Sequence, residues 1–334
     1  FSMWHRLQIL LLPLAAVYAA VMDVRNLMFD RGWLRSLRPT VRSIGIGNLA
    51  VGGTGKTPHT EFIAAHYRGK GLSVAILSRG YGRRTKGFRY VNAASSADEV
   101  GDEPLQMFRR FGGKVCVAVG ERRVPALLHL EEERHPQVVV LDDVFQHRYV
   151  NPHTLILLTD YARRYDTDHV LPAGRLRERR SGARRADIII VTKCPPALTE
   201  AERQDIIRHL APHPRQQVFF TAMQYAPLTC TDICQALLIT GIAHPAPLEK
   251  HLRTSGIALT EHLNFPDHHR FSATDIRRIT VAAARAPYII TTAKDFQRLA
   301  QAPLPEEVKR KIIVQDITVS VLFGEEEKLK ALLP

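Results

Sequence analysis

The stretch Gly47-Asn48-Leu49-Ala50-Val51-Gly52-Gly53-Thr54-Gly55-Lys56-Thr57-Pro58 packs three glycines into four positions directly before a lysine and a threonine. Triphosphate oxygens need several backbone N–H donors converging at a helix N-terminus, and only glycine lets the backbone turn so sharply and approach so closely. Gly52, Gly53, Thr54, Gly55, Lys56, Thr57 and Pro58 are therefore candidate nucleotide-binding positions, with Lys56 reaching the β- and γ-phosphates and Thr57 ligating Mg2+. The usual spacing asks for glycine at position 50, where Ala50 is a small substitution that keeps the loop tight. A second signal is Gln137-Val138-Val139-Val140-Leu141-Asp142-Asp143, an apolar run ending in two carboxylates, the Walker B form. Asp142 and Asp143 join Thr57 as candidates for the magnesium shell. Guanine readout wants Asn/Thr-Lys-x-Asp, and Thr192-Lys193-Cys194-Pro195 lacks the acid. ATP is thus favoured over GTP.

Transfer of a phosphoryl group to a hydroxyl also needs a group that receives or orients its proton. Asp102, Glu103, His147 and His268 are the candidates. Asp102 lies in the tight polar turn Gly101-Asp102-Glu103-Pro104, where a carboxylate serves equally as a helix N-cap. Asp267-His268, in a proline-bearing loop, reads either as a carboxylate-oriented imidazole or as a hydrogen-bonded loop. Leu171-Pro172-Ala173-Gly174-Arg175-Leu176-Arg177-Glu178-Arg179-Arg180 is crowded with guanidinium groups and reads as an anion clamp or as a solvated loop.

The elements that position these residues follow from the apolar periodicity. Short buried strands are expected at Ile44 to Ile46, 73–77, 115–119, 137–141, 154–158, 188–192 and 217–222, with helices over 60–70, 98–111 and 121–134 between them. Ser78-Arg79-Gly80-Tyr81-Gly82-Arg83-Arg84 leaves the carboxyl end of a strand, where parallel sheets bind ligands, so Arg79 is expected to face the site. Ala226-Pro227 suggests a boundary. A shorter alternation follows, with strands at 236–242, 288–292, 312–314 and 319–322 and helices at 247–255 and 274–285. The expected fold is α/β, of the P-loop nucleoside-triphosphatase type, a mostly parallel sheet with helices on both faces. The expected domains are an N-terminal membrane-associating helix (3–30), a kinase domain (31–225) and a smaller α/β domain (226–334) closing over the active site.

At 334 residues, 45% hydrophobic and 24% charged, the chain has the composition of a folded globular protein. Cys116, Cys194, Cys230 and Cys234 show no CxxC spacing, which points to reduced thiols rather than zinc or disulfides. A net charge of +13 calls for an anionic partner. Phe1-Ser2 ahead of Met3 reads as a tag remnant. Residues 7–22 carry no charge, and Arg25, Arg31, Arg35, Arg38 and Arg42 follow. Sixteen helical residues span about 24 Å, short of the roughly 30 Å hydrocarbon core. The expected disposition is interfacial, with basic residues at the headgroups, and the alternatives are a buried core helix and a spanning helix.

The chain resembles the tetraacyldisaccharide 4'-kinase (lipid A 4'-kinase) family. The residues that carry the resemblance are Ser78-Arg79-Gly80-Tyr81-Gly82, Gly101-Asp102-Glu103-Pro104, Asp142-Asp143-Val144-Phe145-Gln146-His147, the loop from Leu171 to Glu178 and Phe265-Pro266-Asp267-His268. One departure is Val144, where the family often has glycine. The resemblance implies transfer of the ATP γ-phosphate to the 4'-hydroxyl of a tetraacylated glucosamine disaccharide 1-phosphate in lipid A (lipopolysaccharide) biosynthesis. The place would be the cytoplasmic face of the bacterial inner membrane, with no nucleic acid and no obligate protein partner. It further implies that Asp102 is the catalytic base and His268 its partner, while Lys56, Thr57, Asp142 and Asp143 serve ATP and magnesium. Arg79, Gln146, His147, Arg177 and Glu178 match further substrate- or phosphate-binding positions. A membrane-recruited partitioning ATPase shares the Gly-Gly-Thr-Gly-Lys-Thr loop but places a signature lysine where this chain has Val51. A GTP-dependent metallochaperone lacks support in the absent acid after Lys193 and the absent Cys/His cluster.

Overall fold

The computed structural model describes residues 3–230, 232–267 and 269–334, with side chains from Leu10 onward. Its elements in chain order are α1 (Met3–Asp30), β1 (Arg42–Asn48), α2 (Lys56–Gly69), β2 (Val74–Ser78), β3 (Arg89–Tyr90), α3 (Ala97–Val100), α4 (Asp102–Arg110), β4 (Cys116–Val119), α5 (Arg123–Arg134), β5 (Val138–Leu141), β6 (Thr154–Asp160), β7 (Ile188–Thr192), α6 (Glu200–Leu210) and β8 (Gln217–Tyr225). They continue with β9 (Gln235–Thr240), α7 (Ala246–Thr254), β10 (Ala258–Asn264), α8 (Ala273–Ala283), β11 (Tyr288–Thr292), α9 (Ala293–Leu299), α10 (Glu306–Lys309), β12 (Ile312–Gln315), β13 (Ile317–Val321) and α11 (Glu326–Ala331).

The chain divides into two compact units, with a boundary at 223/224, beside the one expected near residue 225, and with further crossings that the composition did not suggest. The first comprises residues 1–79, 120–223 and 319–334, the second 80–119 and 224–318. The unbroken strand–helix alternation hides this excursion, because 80–119 has the same patterning as the segments it interrupts.

In the first unit six parallel strands lie in the order β8-β7-β6-β1-β5-β2. Ile44 of β1 pairs with Val140 on one side and Thr154 on the other. The strands read as continuous Val/Ile/Leu runs because both faces are covered; β5 is fully buried along its length. Leu49, Phe145, Leu157, Leu176, Ile189 and Phe220 form the core beside the phosphate loop. Gly47 is required in β1, since a Cβ there would sit 2.6 Å from that of Phe145.

Helix α1 runs on past the apolar run to Asp30, so it is about 42 Å long at 1.5 Å per residue. The helix matches its expected bounds of 3–30, but the reach of about 24 Å worked from the charge-free run alone is too short: residues 10–30 are long and apolar enough to cross a membrane. The charges at Asp23 and Arg25 ended the hydrophobic run, not the helix. Ala15, Ala19 and Phe29 are buried, whereas Leu10, Leu14, Val17, Val21 and Val24, spaced by four and three residues, form an exposed apolar stripe. Tyr18 donates to the Arg177 carbonyl at 3.1 Å, Arg25 to that of Gln146 at 3.1 Å, and Asn26 to Glu178 at 3.0 Å. The second half of α1 is thus seated on the first unit.

In the second unit β10-β9-β11-β12 form a four-stranded parallel sheet. Leu237 and Ile239 of β9 enter one core cluster and Ala236 and Leu238 the other, as strand alternation demands. The β3–β4 pair is antiparallel, and α4 packs against α9. β10 lies where no strand was expected: its Ala-Leu-Thr-Glu-His-Leu-Asn sequence is half-exposed on an edge and carries little apolar signal.

Candidate active site

The loop between β1 and α2 has the form that its glycines require. Gly52 and Gly55 have φ of 109° and 83°, and a Cβ added at Gly52 or Gly53 would meet nothing within 4 Å. The concave side of the loop is therefore open at the backbone, as a phosphate cradle must be. Lys56 and Thr57 begin α2 itself, four residues before the expected start. Three side chains brace the loop. Asn48 donates to the Thr54 hydroxyl at 2.9 Å, Thr192 donates to the Thr54 carbonyl at 2.9 Å, and Lys193 reaches the Gly53 carbonyl while pairing with Asp160 at 2.9 Å. Thr192-Lys193, weighed above for base readout, supports the phosphate loop instead. On the other side, Arg177 N–H donates to Leu49 at 2.7 Å and Val51 N–H to Arg175 at 2.8 Å.

The two carboxylates at the end of β5 occupy different environments. Asp142 is 2% exposed and accepts from Ser78 at 2.8 Å and Thr60 at 3.4 Å. Arg123, also buried, donates to the Asp142 carbonyl at 2.9 Å and to that of Gly120. Asp143 has φ of 49° and lies 3.9 Å from Lys56 and 3.3 Å from Arg177. Burial pushes its carboxyl up, but Lys56 and Arg177 outweigh that and hold it below the usual carboxylate range. Val144, which stands where the family often has glycine, has its N–H donating to the Ile46 carbonyl at 3.0 Å. Gly45 leaves room for it, since a Cβ there would lie 2.7 Å from Val144 Cγ1. Thr57, Asp142 and Asp143 offer hard oxygens at the head of α2 and the tip of β5, a donor set that fits Mg2+, which keeps most of its shell for waters and phosphates. Among the described residues no three acidic, His or Cys side chains cluster as an all-protein metal cage.

Gln146 donates to the Asn48 carbonyl at 2.8 Å and to Glu178 at 3.1 Å. Glu178 takes both prongs of Arg185, at 2.7 and 2.8 Å. Arg177 donates to Asn48 Oδ1. The other arginines of this loop are engaged internally: Arg175 pairs with Asp168 at 3.1 Å, Arg180 donates to the Asp168 carbonyl at 2.8 Å, and Arg179 pairs with Asp23 at 2.5 Å. Of the expected anion clamp, only Arg177 reaches the carboxylate pair. His147 is pushed down to about 4 by burial and then by Arg123, Arg25 and Arg79, so it is neutral near pH 7. Arg79 itself is exposed at the end of β2. Asn48, Arg123 and His59 escaped the sequence reading. Only Asn48 carried a signal, as a polar residue ending an apolar strand. His59 donates from Nδ1 to the Gly55 carbonyl at 2.7 Å and accepts at Nε2 from Thr221 at 3.0 Å.

Asp102 belongs to the second unit, at the first position of α4, where it is 2% exposed. Its carboxylate pairs with Arg298, Nε at 2.7 Å and Nη2 at 3.0 Å. Glu103 follows it on the same helical turn. Asp267 pairs with Lys294 at 2.7 Å. The expected partner of Asp102, His268, lies outside the described residues.

Residues 7–334 match the model of the tetraacyldisaccharide-1-P 4'-kinase (LpxK) family. Among curated relatives, the tetraacyldisaccharide 4'-kinase of Bacteroides thetaiotaomicron is 41% identical over 95% of this chain and 90% of its own length. That of Parabacteroides distasonis is 40% identical over 97% and 93%. Among solved structures, LpxK from Aquifex aeolicus in complex with ATP superposes with a TM-score of 0.76 at 29% identity, covering 98% of both chains. With a glycine loop, a braced lysine and a carboxylate pair in place, and with this match running through both units, the chain belongs to the tetraacyldisaccharide-1-P 4'-kinase family.

Proposed function

We propose that this protein transfers the γ-phosphate of ATP to the 4'-hydroxyl of an acylated glucosamine disaccharide 1-phosphate, the step that gives lipid IVA in lipid A biosynthesis. The observation that carries this reading is the convergence of Lys56 and Arg177 on Asp143 beside an open glycine loop. Lys56 and the loop N–H groups bind the β- and γ-phosphates, and their fixed positive potential meets the charge that spreads over the transferring group. Thr57 with Asp142 and Asp143 would hold magnesium, which when bound neutralises and aligns the phosphate oxygens. Asp143, kept ionised by its two cations, is competent for that role at any physiological pH. Asp102 is the group proposed to receive the proton of the acceptor hydroxyl, with His268 orienting it. Arg79, Gln146, His147 and Arg177 are proposed to contact the anionic acceptor or the phosphates, whereas Glu178, expected there too, is buried and accepts from Arg185, Asn26 and Gln146, so its proposed role is to hold Gln146 and Arg185 in place. The partitioning-ATPase reading has no observation in its favour.

An acylated acceptor stays in the bilayer, so the enzyme must come to it. The exposed stripe from Leu10 to Val24, together with Trp33 and the arginines that follow α1, supports docking at the membrane surface. The polar ties of Tyr18, Asp23, Arg25 and Asn26 to folded protein favour an interfacial over a spanning position, because a span would strip those groups of their partners. ATP as donor supports a reaction at the cytoplasmic face of the inner membrane. The test is direct: incubate the protein with γ-labelled ATP, Mg2+ and the disaccharide 1-phosphate lipid in detergent. Label appearing on the lipid supports the reading, and hydrolysis without lipid labelling refutes it.

A further inference from the structure

Helix α9 is seven residues long, and four of them are committed to neighbours within the second unit. Asp295 accepts from the Gly241 N–H at 2.9 Å and from Thr292 at 2.7 Å, which clamps the start of the helix to the ends of β9 and β11. Gly241 has no Cβ where one would stand 2.9 Å from Asp295 Oδ1. Gln297 accepts from Arg109 of α4 at 2.7 Å. Lys294 and Arg298, four apart and hence on one face, each hold an acid: Lys294 pairs with Asp267, and Arg298 pairs with Asp102, its Nη2 donating to Oδ2 at 3.0 Å and its Nε lying 2.7 Å from Oδ1.

A carboxylate as buried as Asp102 costs several kcal/mol to ionise unless a paired cation offsets it. A guanidinium does more than offset it. Its planar fork fixes the rotation of the carboxylate plane, which an ammonium does not. Asp102 also sits at the N-terminus of α4, where the helix favours negative charge. Gly101, with φ of 95°, brings it there past the Tyr81 carbonyl, which a Cβ would approach to 3.0 Å. We propose that Arg298 is a positioning residue that holds Asp102 ionised and rotationally fixed. Lys294, one turn earlier, sets the Phe265-Pro266-Asp267 loop against the same helix, so α9 is the template for the proton-accepting side of the reaction. This rests on the reading of Asp102 as the base.

The test uses the full chain, with lipid phosphorylation followed across pH and ATP binding measured separately. Among the described residues, Arg298 of α9 pairs with Asp102; its own helix also carries Glu103, Arg109 and Arg110, the last two tied to Gln297 and Asp316. Losing the cation raises a carboxyl pKa, so the base stays protonated to higher pH. Arg298→Gln should therefore move the acid limb of kcat upward by about one to three pH units. It should also cut kcat at least about tenfold with ATP affinity nearly unchanged. Arg298→Lys, which keeps charge and most of the volume and so guards against misfolding, should restore the acid limb but only part of kcat. In an Asp102→Asn background, Arg298→Gln should add little. An unmoved acid limb in Arg298→Gln, equal losses in both backgrounds, or full kcat in Arg298→Lys each overturns the positioning role. Wild-type turnover in Asp102→Asn overturns the underlying reading instead.

Discussion

Glu178 offers the sharpest test of how the phosphate side of the site is held. It is 1% exposed and accepts from four donors: Arg185 twice, Asn26 and Gln146. Glu178→Ala removes the counterion of Arg185, whose side chain is only 19% exposed, and strips Asn26 and Gln146 of an acceptor. Removing one partner of a buried ion pair costs about 3–5 kcal/mol, which at 2–4 °C per kcal/mol for a unit of this size predicts a Tm lower by roughly 6–20 °C. Glu178→Gln retains a carbonyl acceptor while losing the charge, so about half that loss is expected. Asn26→Ala, which deletes a single hydrogen bond to a charged acceptor, should cost about 1–3 kcal/mol. The assay is thermal unfolding without nucleotide or lipid, so that loss of binding does not enter. A Glu178→Ala protein melting within the roughly 2 °C typical of solvated surface changes would refute the reasoning.

Lys56→Ala should lower lipid phosphorylation by at least about a hundredfold while leaving Tm near that of the wild type; near-normal turnover would remove the phosphate loop from the mechanism. His59 is held at about 4, first by desolvation and against the pull of the Gly55 carbonyl, so the unfolded chain binds its proton first as pH falls below the ordinary 6.5. Stability should accordingly drop by about 2 kcal/mol from this residue between pH 7 and pH 5. His59→Gln should flatten that part of the Tm-versus-pH curve, and a curve of unchanged slope would refute the assignment. Deleting residues 3–17 removes Leu10, Leu14 and Val17 from the exposed stripe but leaves the bonds of Asp23, Arg25 and Asn26 intact. Co-sedimentation with anionic vesicles should fall at least tenfold at nearly constant Tm, since apolar burial is worth about 25 cal/mol per Å². Undiminished vesicle binding would show that the stripe is not the docking surface.

What the sequence made legible was what local patterning encodes. β1, β2, β5 and β7 are short β-branched runs because they are buried on both faces, and Lys56, Thr57, Asp142 and Asp143 stand at fixed offsets from those strands. Their partners were not legible. Arg298 is 196 positions from Asp102, and no local pattern marks it as the cation of that carboxylate. The Arg175–Arg180 loop looked like a uniform clamp because charge reads the same on paper whether it faces a ligand or an internal acid. Only folding brings Asp168 and Asp23 to Arg175 and Arg179. Helix α1 ends at Asp30, where it was expected to, and continues beyond its charge-free run because Asp23 and Arg25 find partners on the first unit, which removes the cost that charged residues impose on an apolar helix.

Asn48 shows why the phosphate loop and α1 are not independent parts. Its amide donates to Thr54 inside the loop, its side-chain oxygen accepts from Arg177, and its carbonyl accepts from Gln146. Gln146 reaches Glu178, and Glu178 reaches Asn26 of α1. Each group in that chain is buried or half-buried, so each missing link leaves a polar atom that water does not reach, at a cost of about 1–3 kcal/mol. The loop itself has little else to hold its shape: two of its glycines sit at positive φ, and an added Cβ at Gly52 or Gly53 would touch nothing. The rigidity that a phosphate cradle needs is therefore supplied from outside it, by Asn48, Thr192 and Lys193, and through Asn48 by the helix that carries the exposed apolar stripe.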